Sequence, residues 1–599
     1  MKKTTILFVI SLFTVGSMFS QTLPDGMVSL LPAGVTANIS NATVGMRSKD
    51  LVVAGNKTNG YKAFFAATDA TNGEELWVTD GTAEGTTMVK DIRTGSTGSS
   101  IEYLTRFNDK VVLAANDGTN GVELWISDGT SEGTNMLSNI NTDAASSDPR
   151  GFTQLNENQF IFIAKNAASG TLSYLYVSDG TQGGTQQIYE CDARFPGAEY
   201  LSTSYVTPYC RVGRKVFFKA ATTENGEELW VTDGTTAGTK LVKDINAGTT
   251  NAAVNHFVNF YNEKLFLKAT NGSTLNGAEP WASDGTEAGT YMIKDTNTGT
   301  ANGGVSTPGV KPYNGKIYFR GYDPTKGTEL ACTNLEPDNL TVFDINLTSP
   351  TASNNGAPDT GVEFDGVLFF DADAKGTVGI EPHYCDGTTV TLHTNRATTT
   401  ANFFMRDQVV VSGSMYWFNG GGPNTSADYF QLFKLDSKTD AITRVTDFYT
   451  DTQNHYRFHS LRNLGGELLA AAYPLVSNVG TSATSALYAY HYRKPAYNPA
   501  TDLEDLEIEY RTRADMTTDN AGINPQSEEP DLFITNSALK IQTKATNAIV
   551  MVYDATGRMI ANKTLNGGLT EIKLPFVGIY TVKIETGIKS WTKKIVNQN

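Results

Sequence analysis

"GEELWVTDGTAEGTTMVKDI" runs from Gly73 to Ile92, and "GEELWVTDGTTAGTKLVKDI" from Gly226 to Ile245. Two stretches this alike, so far apart in one chain, mark an internal repeat. With the third residue of Glu-Leu-Trp as anchor, clear copies stand at Trp77, Trp125, Trp230 and Trp281. A weaker copy, "YLYVSDGTQGGT", places Tyr176 between them, and the anchors lie 48 to 54 residues apart. The same period reaches Ala331 in "TELACTN", His383 in "EPHYCDGT", Phe433 in "QLFKLD" and Tyr488 in "ALYAYHY". That makes nine units, the last four eroded.

Each unit reads as four short strands. In the fifth they are His256–Tyr261, Lys264–Ala269, Glu279–Asp284 and Thr290–Thr296, the first two joined by a tight link. Strands such as "LWV" (Leu76–Val78) and "VFF" (Val216–Phe218) are apolar without alternation, as suits strands covered on both faces. Four such strands per period of about 50 residues predict an all-β chain, a β-propeller of about nine four-stranded blades, with eight as the second count. The ninth unit stops after its third strand, Ser485–Tyr492. "GMVSLLPAG" (Gly26–Gly34) resembles the fourth strand "TMVKDIRTG" (Thr87–Gly95), so the N-terminal strand is expected to complete the last blade and close the ring.

The repeated residues read as scaffold. Asp80, Asp128, Asp179, Asp233 and Asp284 each precede Gly-Thr, as does Asp386. An Asx turn explains this: Asp accepts backbone N–H bonds, Gly takes positive φ, and Thr begins the next strand. Calcium is the alternative, but each turn offers one carboxylate where that ion needs six to eight oxygens. No cofactor is therefore expected. The Trp at one strand position reads as a wedge between blades rather than a sugar platform. The Glu before Leu-Trp either pairs with a neighbouring Lys or accepts backbone bonds. Variable loops between units are where binding is expected, opposite the Asp-Gly-Thr turns.

Bulk properties exclude several classes. The 599-residue chain carries a net charge of −16, which disfavours nucleic acid and electrostatic docking on an anionic membrane. Residues 1–20 read as a signal peptide: Lys2 and Lys3, an apolar run from Ile6 to Phe19, then Ser20 before the cut. No later stretch approaches transmembrane length. Export permits disulfides, and Cys191 and Cys210, flanking one long insertion, are the expected pair. Cys332 and Cys385 occupy similar places in neighbouring repeats, and their pairing is left open. His455 and His459 have a zinc-like spacing, but the stretch reads as strand or loop and no Glu follows His455. No nucleophile elbow or phosphate loop is present.

"ELWVTDGT" (Glu75–Thr82) and "ELWISDGT" (Glu123–Thr130) resemble the ELWxxDGT repeat family of exported bacterial proteins, strongly over about 60–300 and weakly over 300–490. That resemblance implies a repeat architecture more than an activity. After residues 21–492, the polar, acidic stretch 493–530 reads as a linker. Residues 531–599 read as a small C-terminal β-sandwich. "VYDATGRMI" (Val552–Ile560), "GIYTVKIETG" (Gly578–Gly587) and "KKIV" (Lys593–Val596) resemble the type A C-terminal sorting domain of type IX secretion cargo. The matching residues include Gly557, Arg558, Gly578, Tyr580, Val582, Gly587, Lys593 and Lys594; "INPQSEEPD" departs from the usual opening. The resemblance implies recognition by the outer-membrane translocon and its shuttle or sortase, then release or fixation at the cell surface. The expectation is a secreted or cell-surface, non-enzymatic adhesion propeller binding an extracellular protein or glycan. The alternatives are a polysaccharide-acting enzyme with acids at the channel, or a structural surface-layer passenger.

Overall fold

The computed structural model describes residues 27–39, 51–56, 59–142, 144–166, 173–189, 209–261, 263–272, 277–297, 302–303, 305–345, 359–373, 380–393, 403–419, 431–445, 454–464, 467–476 and 486–490, and in the tail 531–535, 538–554, 559–573, 578–585 and 590–597. Among them every regular element is a β-strand.

Between residues 27 and 490 the strands form nine antiparallel sheets. Sheet 1 consists of Gly60–Asp69, Gly73–Thr79 and Thr87–Lys90, with Thr36–Ala37 and Val52–Asn56 sharing its first-strand edge. Sheet 2 runs Glu102–Phe107, Lys110–Asn116, Val122–Ser127 and Asn135–Ser138. Sheet 3 has Arg150–Asn156, Gln159–Ala164, Tyr174–Ser178 and Thr185–Tyr189. Sheet 4 has Tyr209–Val212, Lys215–Thr222, Gly226–Thr232 and Lys240–Lys243. Sheet 5 has Asn255–Phe260, Lys264–Ala269, Glu279–Ser283 and Tyr291–Met292. Sheet 6 has Ser306–Tyr313, Lys316–Asp323, Gly327–Thr333 and Thr341–Val342. Sheet 7 has Asp359–Phe364, Val367–Asp373, Ile380–Cys385 and Val390–Leu392. Sheet 8 has Met405–Val411, Ser414–Asn419, Leu432–Leu435 and Thr443–Arg444.

Sheet 9 takes three strands from the end of the series, Asn454–Leu464, Glu467–Val476 and Ala486–Tyr490. Its fourth strand is Met27–Ser29, antiparallel to Ala486–Tyr490 with Met27 opposite Tyr490. The first strand of each sheet packs on the first strand of the next, and that of sheet 9 packs on Val52–Asn56 of sheet 1. Asn463 Nδ2 donates to Val410 O of sheet 8 at 3.2 Å, and Arg462 Nε donates to Leu51 O at 2.9 Å.

The apolar runs explain why the sheets stack. In the second strands, residues such as Phe64 and Phe65 or Phe217 and Phe218 are all buried, one facing each neighbouring sheet. The core is therefore a series of seams. Several first strands carry a bulge near the start, with Tyr103, His256 and Asp407 at positive φ. A bulge increases local twist and redirects a side chain.

The tail has five strands in one hydrogen-bonded network: Asp531–Thr535, Ala538–Asp554, Met559–Lys573, Gly578–Glu585 and Ser590–Asn597. The strand Ala538–Asp554 runs unbroken through Thr543–Ala548, with register shifts absorbing the polar residues.

Candidate functional site

The Asp-Gly-Thr turns form one hydrogen-bonded chain. Asp80 Oδ1 accepts from the Thr82 N–H (2.9 Å) and hydroxyl (2.7 Å). Thr82 Oγ1 accepts from Gly85 N, and Thr86 Oγ1 donates to Thr82 O. Thr79 Oγ1 lies 2.7 Å from Thr86 Oγ1 and accepts from Gly81 N. Gly81 has φ 93°, which L side chains rarely adopt. Gly85 is a close approach: a Cβ there would lie 2.0 Å from Asp80 Oδ1. The same contacts recur around Asp128, Asp233 and Asp284, and in part around Asp179. Hydrogen bonds from Thr181 hold the Asp179 carboxyl below its usual range. Burial alone would raise those of Asp128 and Asp284, but the Thr130 and Thr286 bonds win and both are lowered. The paired hydroxyls, Thr79 with Thr86 or Ser127 with Thr134, were not read from the sequence. The signal was there, since Ser or Thr precedes each of these aspartates.

Trp77, Trp125, Trp230 and Trp281 are all buried, each in the seam toward the preceding sheet. Trp77 packs with Leu464 and Leu469 of sheet 9, Trp125 with Phe64 and Val78, Trp230 with Leu155 and Ile161, and Trp281 with Leu229 and Val231. Their indole Nε1 atoms make no hydrogen bond.

The Glu two residues before each anchor ties down the outgoing loop. Glu75, Glu123, Glu228, Glu279 and Glu329 have no solvent exposure. Glu75 accepts from Ile92 N (2.9 Å) and Arg93 N (3.2 Å); Glu228 accepts from Ile245 N (2.8 Å) and Asn246 N (3.1 Å). Glu123 accepts from Ile140 N, Ser147 N and the Ser147 hydroxyl. Burial pushes Glu75, Glu123 and Glu228 up to about 7, against the pull of these donors.

A second series of charges, Lys219 and Asp371 buried and Lys268 and Arg320 half-buried, occupies one sector. At the position where sheets 1 to 3 carry Ala66, Ala114 and Ile163, sheets 4 to 7 carry Lys219, Lys268, Arg320 and Asp371. Lys219 is buried and its Nζ lies 3.1 Å from Glu227 Oε1. Asp371 is fully buried, and its Oδ2 accepts from Met405 N at the start of sheet 8. Lys268 stands opposite Asn255, beside the bulge that carries His256. Burial lowers Lys268, opposed by the charge of Glu279, while burial and then Lys268 push His256 down to about 3. His383 lies flat on Phe370 at 5.9 Å, and burial holds it down to about 4 despite its bond to Glu381 O. Perturbed groups such as His256 and Lys268 mark candidate functional positions. Sequence reading missed them, although a charge at one offset inside "VFFKAA", "LFLKAT", "IYFRGY" and "LFFDAD" was visible.

Other expected positions fall as follows. Among the described residues no group of His, Cys, Asp and Glu is arranged to hold a metal. His455 and His459 lie on the strand Asn454–Leu464, whose rise per residue spreads an i,i+4 pair about 13 Å apart. Cys210 is a free thiol, pushed up to about 12 by burial, so the expected bridge to Cys191 is not supported; Cys191 lies outside the described residues. Gly557, Arg558 and Gly587 also lie outside them. Gly578, Tyr580, Val582, Lys593 and Lys594 meet on the last two strands, with Val582 paired to Lys593 and fully buried.

No helix among the described residues is long and apolar enough to cross a membrane. No curated protein matches the chain. Similar solved structures include PorZ, a bacterial surface component of the type-IX secretion system of Porphyromonas gingivalis, at 11% identity and TM-score 0.27, covering 91% of this chain and 74% of that one. A structure from a study of two prolyl endopeptidases matches at 10% identity and TM-score 0.32, covering 63% and 56%. A puromycin-hydrolyzing peptidase of Mycobacterium tuberculosis matches at 12% and 0.32, covering 74% and 61%. Likeness at that level carries no argument about activity. Residues 535–598 match the family described as the secretion system C-terminal sorting domain, which indicates export by the type IX system to the cell surface or the medium.

Proposed function

We propose that this chain is type IX secretion cargo whose nine sheets are the blades of one closed β-propeller, working as a non-enzymatic binding module. The match of residues 535–598 carries the export part of this reading. The ring part is supported by the continuous series of first-strand contacts and by Met27–Ser29 completing sheet 9. The binding part rests on the division of labour along the chain. Recurrent Asp, Trp and Glu residues are absorbed in turns, seams and loop anchors, which leaves the loops that differ between copies for recognition.

Removing 531–599 tests the export reading: the truncated chain should accumulate in the periplasm, and its appearance outside the cell would refute the assignment. For binding, full-length protein is applied to an array of glycans and used to capture surface proteins. Loss of capture on exchanging the loop Asn246–Asn255 for that of another unit, with the melting temperature held, is the expected result. Turnover of a polysaccharide by the full-length protein would favour the enzyme alternative instead.

A further inference from the structure

Two of the four cysteines stand at facing positions of a single seam. In the third strand, the residue after the anchor packs toward the following sheet, as Val78, Ile126, Val177 and Val231 do. The residue after that begins the hydroxyl chain of the turn: Thr79, Ser127, Ser178 and Thr232. The two positions approach each other from adjacent sheets. A Cβ built on Gly180, in the turn Ser178 supports, would lie 3.4 Å from Ile126 Cδ1; one on Gly234 would lie 3.7 Å from Val177 Cγ2.

Sheet 6 has Cys332 at the first position, and sheet 7 has Cys385 at the second. Cys385 Sγ accepts from Gly387 N at 3.4 Å, as Thr79 Oγ1 accepts from Gly81 N. Both sulfurs lie in one apolar cluster with Tyr318, Leu330 and Leu368, at 1% and 0% exposure. A Cβ on Gly387 would lie 3.7 Å from the Tyr318 hydroxyl, and Tyr318 is the cross-strand partner of Cys332, so the turn of Cys385 sits on the strand pair that carries Cys332. Both residues are thiols in this structure.

We propose that Cys332 and Cys385 are a disulfide pair that locks sheet 6 to sheet 7 once the chain leaves the reducing cytosol. The proposal rests on the export reading for its oxidising compartment. Two S–H bonds break and one S–S bond forms, and two electrons and two protons pass to the disulfide of a thiol oxidant, which becomes a dithiol. Buried thiols are inert, so the exchange occurs while the seam is still open.

Full-length protein, purified reduced, is unfolded and refolded in the presence of oxidised glutathione, then denatured, alkylated without reductant, digested and mapped by mass spectrometry. The expected product is a peptide pair joined through Cys332 and Cys385, absent from Cys332→Ser and from Cys385→Ser. Alkylation of both sulfurs, or capture of either by Cys191, Cys210 or glutathione, overturns the proposal. The same map on protein recovered outside the cell should show the linked pair, and two alkylated thiols there also overturn it. A chain that never leaves the cell overturns the export reading instead, and the glutathione map then decides the pairing.

Discussion

Glu228→Ala removes the acceptor of two backbone N–H groups, Ile245 and Asn246, in the loop leaving sheet 4. The orphaned donors are expected to destabilise the fold by about 2–4 kcal/mol, read as a lower urea midpoint for the full chain. The buried glutamates also set a pH dependence. Glu75, Glu123 and Glu228 lie at about 7 in the folded chain against 4.5 when exposed. The folded state therefore holds protons that the unfolded chain has released, and stability falls as pH rises through that window. The charges facing them, Asp91 for Glu75 and Asp244 with Glu227 for Glu228, act in the same direction. Turn aspartates such as Asp128, Asp179 and Asp284 are held low, so their contribution is present above 3.8 and lost below it. His256 and His383, held low, act the other way up to 6.5, but the three glutamates outnumber them, so the melting temperature should decline from pH 5 toward pH 8. A curve that rises from 5 to 8 would contradict the buried-carboxylate account.

At the level of the element, the third strand is the unit that matters, because it carries Glu, Trp and the hydroxyl on one face. Trp230→Ala opens a cavity in the seam between sheets 3 and 4 and should cost about 3–5 kcal/mol. Trp230→Phe should cost far less, since its Nε1 makes no hydrogen bond to lose. Equal losses in thermal unfolding of the two variants would show that the indole nitrogen matters after all. This strand is also where the sequence was most legible. All nine anchors, from Trp77 to the eroded Ala331, His383, Phe433 and Tyr488, fall in third strands. Period survives erosion because the seams bury the side chain at that place, whether it is Trp, Tyr, Ala, His or Phe. The role of Glu75 stayed open because its donors, the backbone N–H groups of Ile92 and Arg93, lie 17 and 18 residues away in the outgoing loop. The charges at Lys219, Lys268, Arg320 and Asp371 were passed over because a single charge inside an apolar run ordinarily reads as an exposed strand edge.

For the molecule as a whole, the seam between sheets 9 and 1 is where the two ends of the repeat series meet. Leu30, Leu51 and Trp77 share it with Leu464 and Leu469. Deleting Met27–Ser29 strips the outer edge of Ala486–Tyr490, and limited proteolysis should then cut first within sheet 9. Cleavage that begins elsewhere would show that this strand does not guard the seam. The pairing of Met27 with Tyr490 has a further consequence, in time rather than in space. Met27–Ser29 emerges during synthesis long before its partner, which follows only after nearly the whole repeat series. Until then sheet 9 lacks its fourth strand. Long-range pairing of this kind slows folding, which leaves an interval during which the polypeptide can still be threaded across a membrane as an open chain.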